Sequence, residues 1–268
     1  MKIHELKYSG TNTYLIEGDA GSLLFDTGWA GTFGTFCAAM GEAHLRVQDI
    51  RYILISHFHP DHMGIAQSIA DKGPVIAVAD AQKGHIHDAD DVFGKEKNRE
   101  FEPIDEGRVR YVALSESREF LRELGIDGEI VHTPGHSDDS ISLCLDDGSL
   151  FVGDLNPIYE LKLHAGTEIG ESWRKLLDRS PKRVYYGHAP SAVLYPVKPS
   201  GQAAPVDSDL YDTAARIMRY IDGGMSFEKI ERKTGAARGF IEDVARMYLT
   251  HKNVGVQGIL DRIEIKGR

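Results

Sequence analysis

The spacing of apolar and polar residues divides the first half of the chain into strands and a helix. The strand-like runs are residues 13–16, 22–26, 51–56 and 74–78. A Gly-Asp-Ala-Gly turn joins the first two runs, which predicts a β-hairpin. The nearly continuous apolar run over 51–56 is typical of a buried strand. Ile65 and Ile69 lie four residues apart and predict a helix over residues 61–70.

The second half of this region continues the mixture of strands and helices. Residues 141–145 alternate in polarity, and an Asp-Asp-Gly turn connects them to the next strand, residues 150–152. Trp173 and Leu176 have helical spacing, and residues 183–186 form one more strand. Because hairpins imply antiparallel pairing, the pattern predicts a layered α/β fold with mixed sheets.

The sequence changes character after residue 195. Residues 196–206 are rich in Pro, Gly and small residues, which is typical of a linker. Three amphipathic helices are predicted beyond it. Their apolar positions are Leu210, Ala214, Ile217, Met218 and Ile221, then Phe227 and Ile230, then Phe240, Ile241, Val244, Ala245, Tyr248 and Leu249. We therefore predict one domain over residues 1–195, a linker over 196–206 and a small helical domain over 207–268.

Composition and charge restrict the class of protein. The chain has 268 residues, of which 41% are hydrophobic and 27% charged, and this provides enough apolar material for a packed core. No apolar stretch is long enough to cross a bilayer, and the first residues lack the apolar run of a signal peptide, so we expect a cytoplasmic protein. Cys37 and Cys144 do not make a disulfide framework. The formal charge of −10 argues against broad attraction to nucleic acid or anionic membranes.

The strongest chemical signal is the segment His57-Phe58-His59-Pro60-Asp61-His62, which follows a predicted strand. Crowded imidazoles and a carboxylate favour a metal site, because these groups are suitable donors for zinc and similar ions. Three more such residues stand beside a glycine after a predicted strand, namely His136, Asp154 and His188. Four such strand ends in one chain indicate a shared pocket.

These motifs resemble those of the metallo-β-lactamase superfamily over about the first 195 residues. The resemblance implies an αββα sandwich of two mixed β-sheets flanked by helices, with metals at one edge. Seven residues match the family's ligands. The implied ligands are His57, His59 and His136 for the first metal, Asp61, His62 and His188 for the second, and Asp154 as the bridge. Asp26, in Leu-Phe-Asp-Thr-Gly, matches an aspartate that orients ligating histidines from outside the ligand set.

The implied ligand set predicts a binuclear hydrolase. Two divalent metal ions, Zn²⁺ by default with Mn, Fe or Ni also compatible, would lower the pKa of a shared water so that a bridging hydroxide attacks the substrate. The expected catalytic residues are Asp154 at the bridge and Asp61, which could pass a proton to the leaving group. Candidate substrate contacts are Tyr159, His164, His85 and His87. The last two also fit a solvated acidic helix end.

Departures from the family's patterns narrow the substrate class. The complete second site differs from true β-lactamases, and His59 stands where the flavin-linked di-iron branch has an acidic residue. Glyoxalase II-like enzymes share the seven ligands, but here Ser137-Asp138-Asp139-Ser140 follows His136 in place of their glycine-rich continuation. This sequence and the helical tail are similar to β-lactamase-like proteins with a winged-helix C-terminus, some of which act on RNA.

Together these patterns predict a hydrolase of a small ester-like substrate, such as a lactone, thioester or carboxylic ester. The alternatives are a phosphodiesterase or ribonuclease on the same site, and a ligand-sensing protein that binds nucleic acid or a partner. From residue 207 onward there are 11 Lys and Arg against 10 Asp and Glu, which makes a poor surface for phosphates. The expected partner is a small-molecule substrate, with no membrane, and the apolar helix faces fit packing on the first domain or in a homodimer.

Overall fold

The structure is a computed structural model that describes residues 1–161, 164, 166–194, 208–236, 238, 240–242 and 244–245. The chain divides into two compact units, Met1–Pro196 and Val197–Arg268. The strands of the first unit are β1 Lys2–Leu6, β2 Thr13–Glu17, β3 Ser22–Phe25, β4 Ile50–Leu54, β5 Val75–Ala79, β6 Arg110–Val112, β7 Gly128–His132, β8 Ile141–Leu145, β9 Ser149–Phe151, β10 Arg183–Tyr185 and β11 Ala192–Val193. Its α-helices are α1 Phe33–Glu42, α2 Pro60–Met63, α3 Ala66–Ala70, α4 Asp90–Glu96, α5 Ser117–Arg122 and α6 Glu168–Leu177.

The strands form two mixed sheets. The first has the order β1-β2-β3-β4-β5-β6, in which the first two pairings are antiparallel and the other three parallel. The second has the order β11-β10-β9-β8-β7, in which only β10 and β9 pair in parallel. The predicted hairpins over 13–26 and 141–151 are both confirmed by these antiparallel registers.

Burial of the strands on both faces creates three apolar layers in the first unit. On β2, Leu15 packs in one layer with Phe36 of α1, whereas Tyr14 packs in a second layer with Phe151 of β9. This second layer therefore lies between the two sheets. A third layer joins the outer face of the second sheet to α6 through Trp173. The order helix, sheet, sheet, helix confirms the predicted αββα sandwich.

The predicted helix over residues 61–70 is two short helices, α2 and α3, separated at Gly64 and Ile65. The break coincides with a close backbone approach, because a Cβ at Gly64 would collide with the backbone at Ala30 and Gly28. The spacing of the apolar residues was correct, but it could not reveal this contact. The loop that follows β3 therefore lies directly against the segment that carries the histidines.

The second unit contains α7 Ser208–Asp222 and α8 Phe227–Thr234. Its apolar core includes Ala214, Ile217 and Ile230, as their helical spacing predicts. The linker predicted over 196–206 and much of the third predicted helix lie outside the described residues, so these features and a winged-helix shape stay predictions. Among the residues that the structure describes, no helix is long and apolar enough to span a membrane.

Candidate metal centre

The two sheets bring the predicted site residues to the carboxyl ends of their strands. Asp26 follows β3 and His57 follows β4 after a short connection, and these two strands are parallel. Asp154 and His188 follow β9 and β10, which are also parallel. His136 follows β7, which runs in the same direction as β9 because both are antiparallel to β8. Strands that run in one direction present their ends at one edge of the sheet, the usual location of sites in such folds.

All seven predicted ligands converge at this edge. Their potential donor atoms form overlapping groups in which all atoms lie within 4.8 Å of one another. These groups are His57, His59 and His136, which we call the first triad; Asp61, His62 and His188, which we call the second triad; and His57, His62 and Asp154. Asp154 lies between the triads, since its Oδ2 is 3.7 Å from His136 Nε2 and 3.3 Å from His188 Nε2. This is the arrangement expected of a bridging carboxylate.

The first triad contains a buried nitrogen atom without a hydrogen-bond partner among the described residues. His57 is 1% exposed, and its Nε2 has no hydrogen-bond partner among the described residues, while its Nδ1 lies 3.0 Å from Ser56 Oγ. His136 Nε2 and His59 Nδ1 face each other at 3.1 Å. Because unpaired buried polar atoms are costly and three imidazole nitrogens lie close together, this donor set fits a divalent ion well.

Asp26 orients two of the histidines from behind. Its Oδ1 accepts a hydrogen bond from Ser56 N at 2.6 Å, and its Oδ2 accepts from Ser56 Oγ at 2.8 Å and lies 2.9 Å from His62 Nδ1. Its backbone is left-handed, with φ of 62°, a conformation that Asp tolerates better than most residues. The contact commits His62 Nδ1 to Asp26, which leaves Nε2 directed toward Asp154 Oδ1 at 3.3 Å.

The electrostatic environments of the two triads differ. Burial lowers the pKa of His57 well below its usual value and also lowers the pKa of His136. Burial likewise opposes charge on His62, but Asp26 and Asp154 outweigh it and raise the pKa of His62 to about 10. His57 and His136 are therefore neutral at neutral pH, whereas His62 carries a proton.

Two carboxylates, those of Asp61 and Asp154, stay ionised beside the histidines of the second triad. Hydrogen bonds with Asp154 and Asp61 raise the pKa of His188 to about 11. Burial raises the pKa of Asp154, but His188 and His62 overcome that effect and hold this pKa well below its usual range. The pKa of Asp61 is lowered as well, because its hydrogen bond with His188 and the charge of His62 outweigh burial. Both carboxylates are therefore ionised and able to bind a cation at neutral pH.

The surface histidines His85 and His87 have carboxylate partners of their own. His85 Nδ1 lies 2.7 Å from Asp88 Oδ2, and His87 Nδ1 lies 2.9 Å from Asp90 Oδ2. The other ring nitrogen of His87 is 3.1 Å from Glu106 Oε1. These contacts are those of a solvated acidic helix end, the alternative that the sequence offers, and a role in substrate binding stays a prediction for both.

The other two candidate substrate contacts lie beyond β9. His164 is partly buried, and its Nε2 is 3.5 Å from Glu160 Oε2 one helical turn before it. The side chain of Tyr159 lies outside the described part of the structure. A substrate-binding role for either residue therefore stays a prediction.

The sequence analysis did not identify several residues that contact the site. Ser56 links Asp26 to His57, and its position directly before the histidine motif was a usable signal. Asp139 accepts a hydrogen bond from the backbone of the motif, and Thr11 donates one to it. A Cβ at Gly187 would collide with Asp154 Oδ1, which explains the glycine before His188. Contacts between residues that are far apart in sequence have no local signature, so Asp139 and Thr11 could not be predicted.

Comparison with other proteins agrees with this geometry. A Drosophila melanogaster protein named Beta-lactamase-like protein 2 homolog is 33% identical over 189 residues, which is 67% of this chain and 58% of the relative. A probable metallo-hydrolase of Methanocaldococcus jannaschii is 32% identical over 161 residues, covering 58% of this chain and 70% of the relative. An atrochrysone carboxyl ACP thioesterase of Emericella nidulans is 26% identical over 204 residues, 73% of this chain and 56% of the relative. The chain spans little more than half the length of the first and third of these relatives.

Solved structures share the fold at low sequence identity. The metallo-beta-lactamase family protein TTHA1429 from Thermus thermophilus has a TM-score of 0.55 at 19% identity, covering 91% of this chain and 89% of that protein. The protein TTHA1623 in a di-iron-bound form has a TM-score of 0.54 at 22% identity, covering 72% and 94%. The family model described as metallo-beta-lactamase superfamily matches residues 7–188, a range that includes all seven converging residues. This chain belongs to the metallo-beta-lactamase superfamily.

Proposed function

We propose that this chain is a binuclear metal-dependent hydrolase of a small ester-like substrate, such as a lactone, thioester or carboxylic ester. The observation that carries the proposal is the convergence of the two triads, with Asp154 within 3.7 Å of a histidine of each. The relatives named as a metallo-hydrolase and a thioesterase support the reaction class. Asp154 and Asp61 are the proposed catalytic residues.

Two divalent ions fit the proposed ligands. The first triad offers three imidazoles, and the second offers two imidazoles and a carboxylate. Zn²⁺ suits this mixture, and Mn, Fe or Ni is compatible with it. The di-iron form of one structural neighbour supports that breadth. When bound, such ions polarise the substrate oxygen and make a water molecule acidic enough to react near neutral pH.

Residues behind three of the proposed ligands contact the Nδ1 atom of each histidine, so that Nε2 would be the atom that holds a metal ion. Asp26 lies against His62 Nδ1, Ser56 lies against His57 Nδ1, and the carbonyl oxygen of Gly10 accepts from His188 Nδ1 at 2.9 Å. In each histidine Nε2 is thereby directed to the centre. Such outer contacts set the tautomer and orientation of a ligand, which fixes the site before substrate arrives.

Asp61 is the better placed of the two carboxylates for proton transfer. Its side chain is 35% exposed, whereas that of Asp154 is 16% exposed. Asp61 Oδ2 is also 2.9 Å from His188 Nε2, which places its carboxylate at the second triad. We therefore propose that Asp61 transfers a proton to the leaving group and that Asp154 is the bridging ligand.

The overall charge of the chain favours a small ester over a polyanion. The formal net charge is −10, and the centre itself contributes the carboxylates of Asp26, Asp61 and Asp154. A phosphodiester in a nucleic acid requires neutralising Lys and Arg along its path. A neutral lactone or ester has no such requirement, and its developing oxyanion is matched by a bound cation.

The proposal is tested by supplying one metal-loaded preparation with a lactone, a thioester, an aryl carboxylic ester and an aryl phosphodiester. We expect turnover of at least one of the first three, and a loss of about 100-fold or more in Asp154→Ala, because the ligand between the two triads is removed. The exposed neighbour of the site, Asp138, provides the matched control Asp138→Ala, which should keep full activity. A preference for the phosphodiester would show that the proposed ester substrate class is wrong. If none of the four substrates is turned over, the proposed hydrolase function is wrong.

A further inference from the structure

Asp139 connects the two segments that supply the first triad. Its side chain is 3% exposed. Asp139 Oδ2 accepts a hydrogen bond from the backbone N–H of Phe58 at 2.7 Å, and its Oδ1 accepts one from Ser137 Oγ at 2.6 Å. Phe58 stands between His57 and His59, and Ser137 directly follows His136. One buried carboxylate thus binds the immediate neighbours of all three histidines.

This contact restricts the peptide between His57 and His59. A rotation of the Phe58 peptide would turn both neighbouring side chains away from their present directions. The rotation would also remove the Phe58 N–H from Asp139 Oδ2, which leaves a buried donor and a buried carboxylate oxygen without their shared hydrogen bond, and that is unfavourable. Asp139 therefore holds the donor atoms of the first triad in place without belonging to it.

Thr11 has the corresponding position beside the second triad. Its side chain is 1% exposed, and its hydroxyl donates to the backbone carbonyl of Asp61 at 2.8 Å, with Asp61 Oδ2 at 3.3 Å. The preceding residue, Gly10, accepts the hydrogen bond of His188 Nδ1. Two adjacent residues therefore contact two of the three members of the second triad.

Asp26 provides a useful contrast because it serves both triads. It contacts His62 directly and reaches His57 through the hydroxyl of Ser56. Loss of Asp26 would therefore disturb both triads together. Asp139 touches the neighbours of the first triad, and Thr11 touches a member of the second.

We infer that Asp139 and Thr11 are positioning residues: Asp139 holds the first triad in place and Thr11 the second. Metal binding to each triad can therefore be weakened separately. The inference rests on the proposed metal centre and not on its substrate. Residues that orient ligands from outside typically contribute about 10- to 100-fold to metal affinity, and we expect effects of that size here.

The test measures Zn²⁺ affinity without substrate in two backgrounds, by competition with a chromophoric chelator at fixed pH. His188→Ala disables the second triad and reports on the first, and His59→Ala disables the first and reports on the second. Asp139→Ala should weaken binding about 10- to 100-fold in the His188→Ala background and leave the His59→Ala background unchanged. Thr11→Val should do the reverse.

Conservative variants distinguish positioning from general damage. Asp139→Asn keeps an oxygen that can accept from Phe58 N–H, and Thr11→Ser keeps the hydroxyl, so both should restore binding to within about threefold of their backgrounds. Asp138→Ala, which removes an adjacent exposed charge, should change neither background. If Asp139→Ala does not fold, Ser137→Ala removes one contact of the same carboxylate and should weaken the first position alone.

The absorption spectrum of the Co²⁺-substituted protein gives a second readout, because it reports the coordination of each position independently of affinity. The inference would be overturned if either variant lowered Zn²⁺ affinity equally in both backgrounds. It would also be overturned if Asp139→Ala and Thr11→Val left Zn²⁺ affinity unchanged. The hydrolysis assay is separate. A protein that binds two ions with these selective losses but cleaves none of the esters would support the inference and overturn the proposed function.

Discussion

Metal binding to the two triads should respond differently to pH. His57 and His136 have lowered pKa values, so these two ligands of the first triad are already neutral at neutral pH and have no proton for a cation to displace. His62 and His188 have pKa values raised to about 10 and about 11, so both carry protons at neutral pH. A cation must displace those protons, and metal affinity at the second triad should therefore rise as the pH rises.

The size of the effect follows from the number of protons displaced. Each displaced proton makes affinity rise about tenfold per pH unit while the pH stays below the histidine pKa. With two protons, the affinity of the second triad should increase up to about 10⁴-fold between roughly pH 6.5 and 8.5. For the fully buried His62 alone, displacement at about pH 7.5 costs on the order of 3 kcal/mol. The gain should level off only above the pKa values, where both histidines are neutral.

The measurement uses the His59→Ala and His188→Ala backgrounds, in which one triad at a time binds Zn²⁺. Calorimetric titrations in two buffers of different ionisation enthalpy count the protons released. We expect about two for the second triad and fewer for the first, because His57 and His136 are already neutral. His188→Ala also removes one of the titrating groups from the second triad, which is why that triad is measured in His59→Ala. Equal proton release by the two triads, or affinity at the second triad that does not change with pH, would refute the reasoning.

Further predictions concern single contacts and the whole fold. Ser56→Ala should lower Zn²⁺ affinity about 10- to 100-fold in both backgrounds, because Asp26 and His57 lose their shared partner. Gly187→Ala should reduce hydrolysis about 100-fold or more with an unchanged circular dichroism spectrum, since its Cβ meets Asp154; full activity would contradict the packing. Trp173→Ala should lower the free energy of unfolding by about 3–5 kcal/mol in urea titrations, because this side chain is fully buried. Chelation of the metal should lower the melting temperature, and equal temperatures with and without chelator would exclude a role in stability.

The sequence predicted those parts of the fold that local pattern determines. The hairpin over 13–26 has two short apolar strands, buried along almost their whole length, and a turn with two glycines, and both features act within a few residues. The edge strands β1 and β6 were not predicted, because β6 has only three residues and β1 is mostly exposed or partly buried. Their assignment depends on pairing with β2 and β5, which is a long-range contact.

The candidate site shows the same division between local and distant information. The histidine segment 57–62 was identified by its density of donors, and Asp154 and His188 by glycines that permit close approach. The positions of Asp139 and Thr11 depend on contacts across 81 and 50 residues. A buried aspartate in a Ser-Asp-Asp-Ser turn has no sequence feature that distinguishes it from an exposed one. Only the packed structure separates Asp139 from Asp138.

The arrangement of the site explains why such distant links are needed. His57, Asp154 and His188 each lie three residues beyond a strand whose register the sheets fix, so their positions follow from the fold. His136 lies four residues beyond β7 in a turn, where strand pairing alone does not restrain it. The link from this turn through Asp139 to Phe58 supplies the missing restraint. At this centre, the contacts of Asp139 therefore join two ligand-bearing segments that strand pairing alone does not hold together.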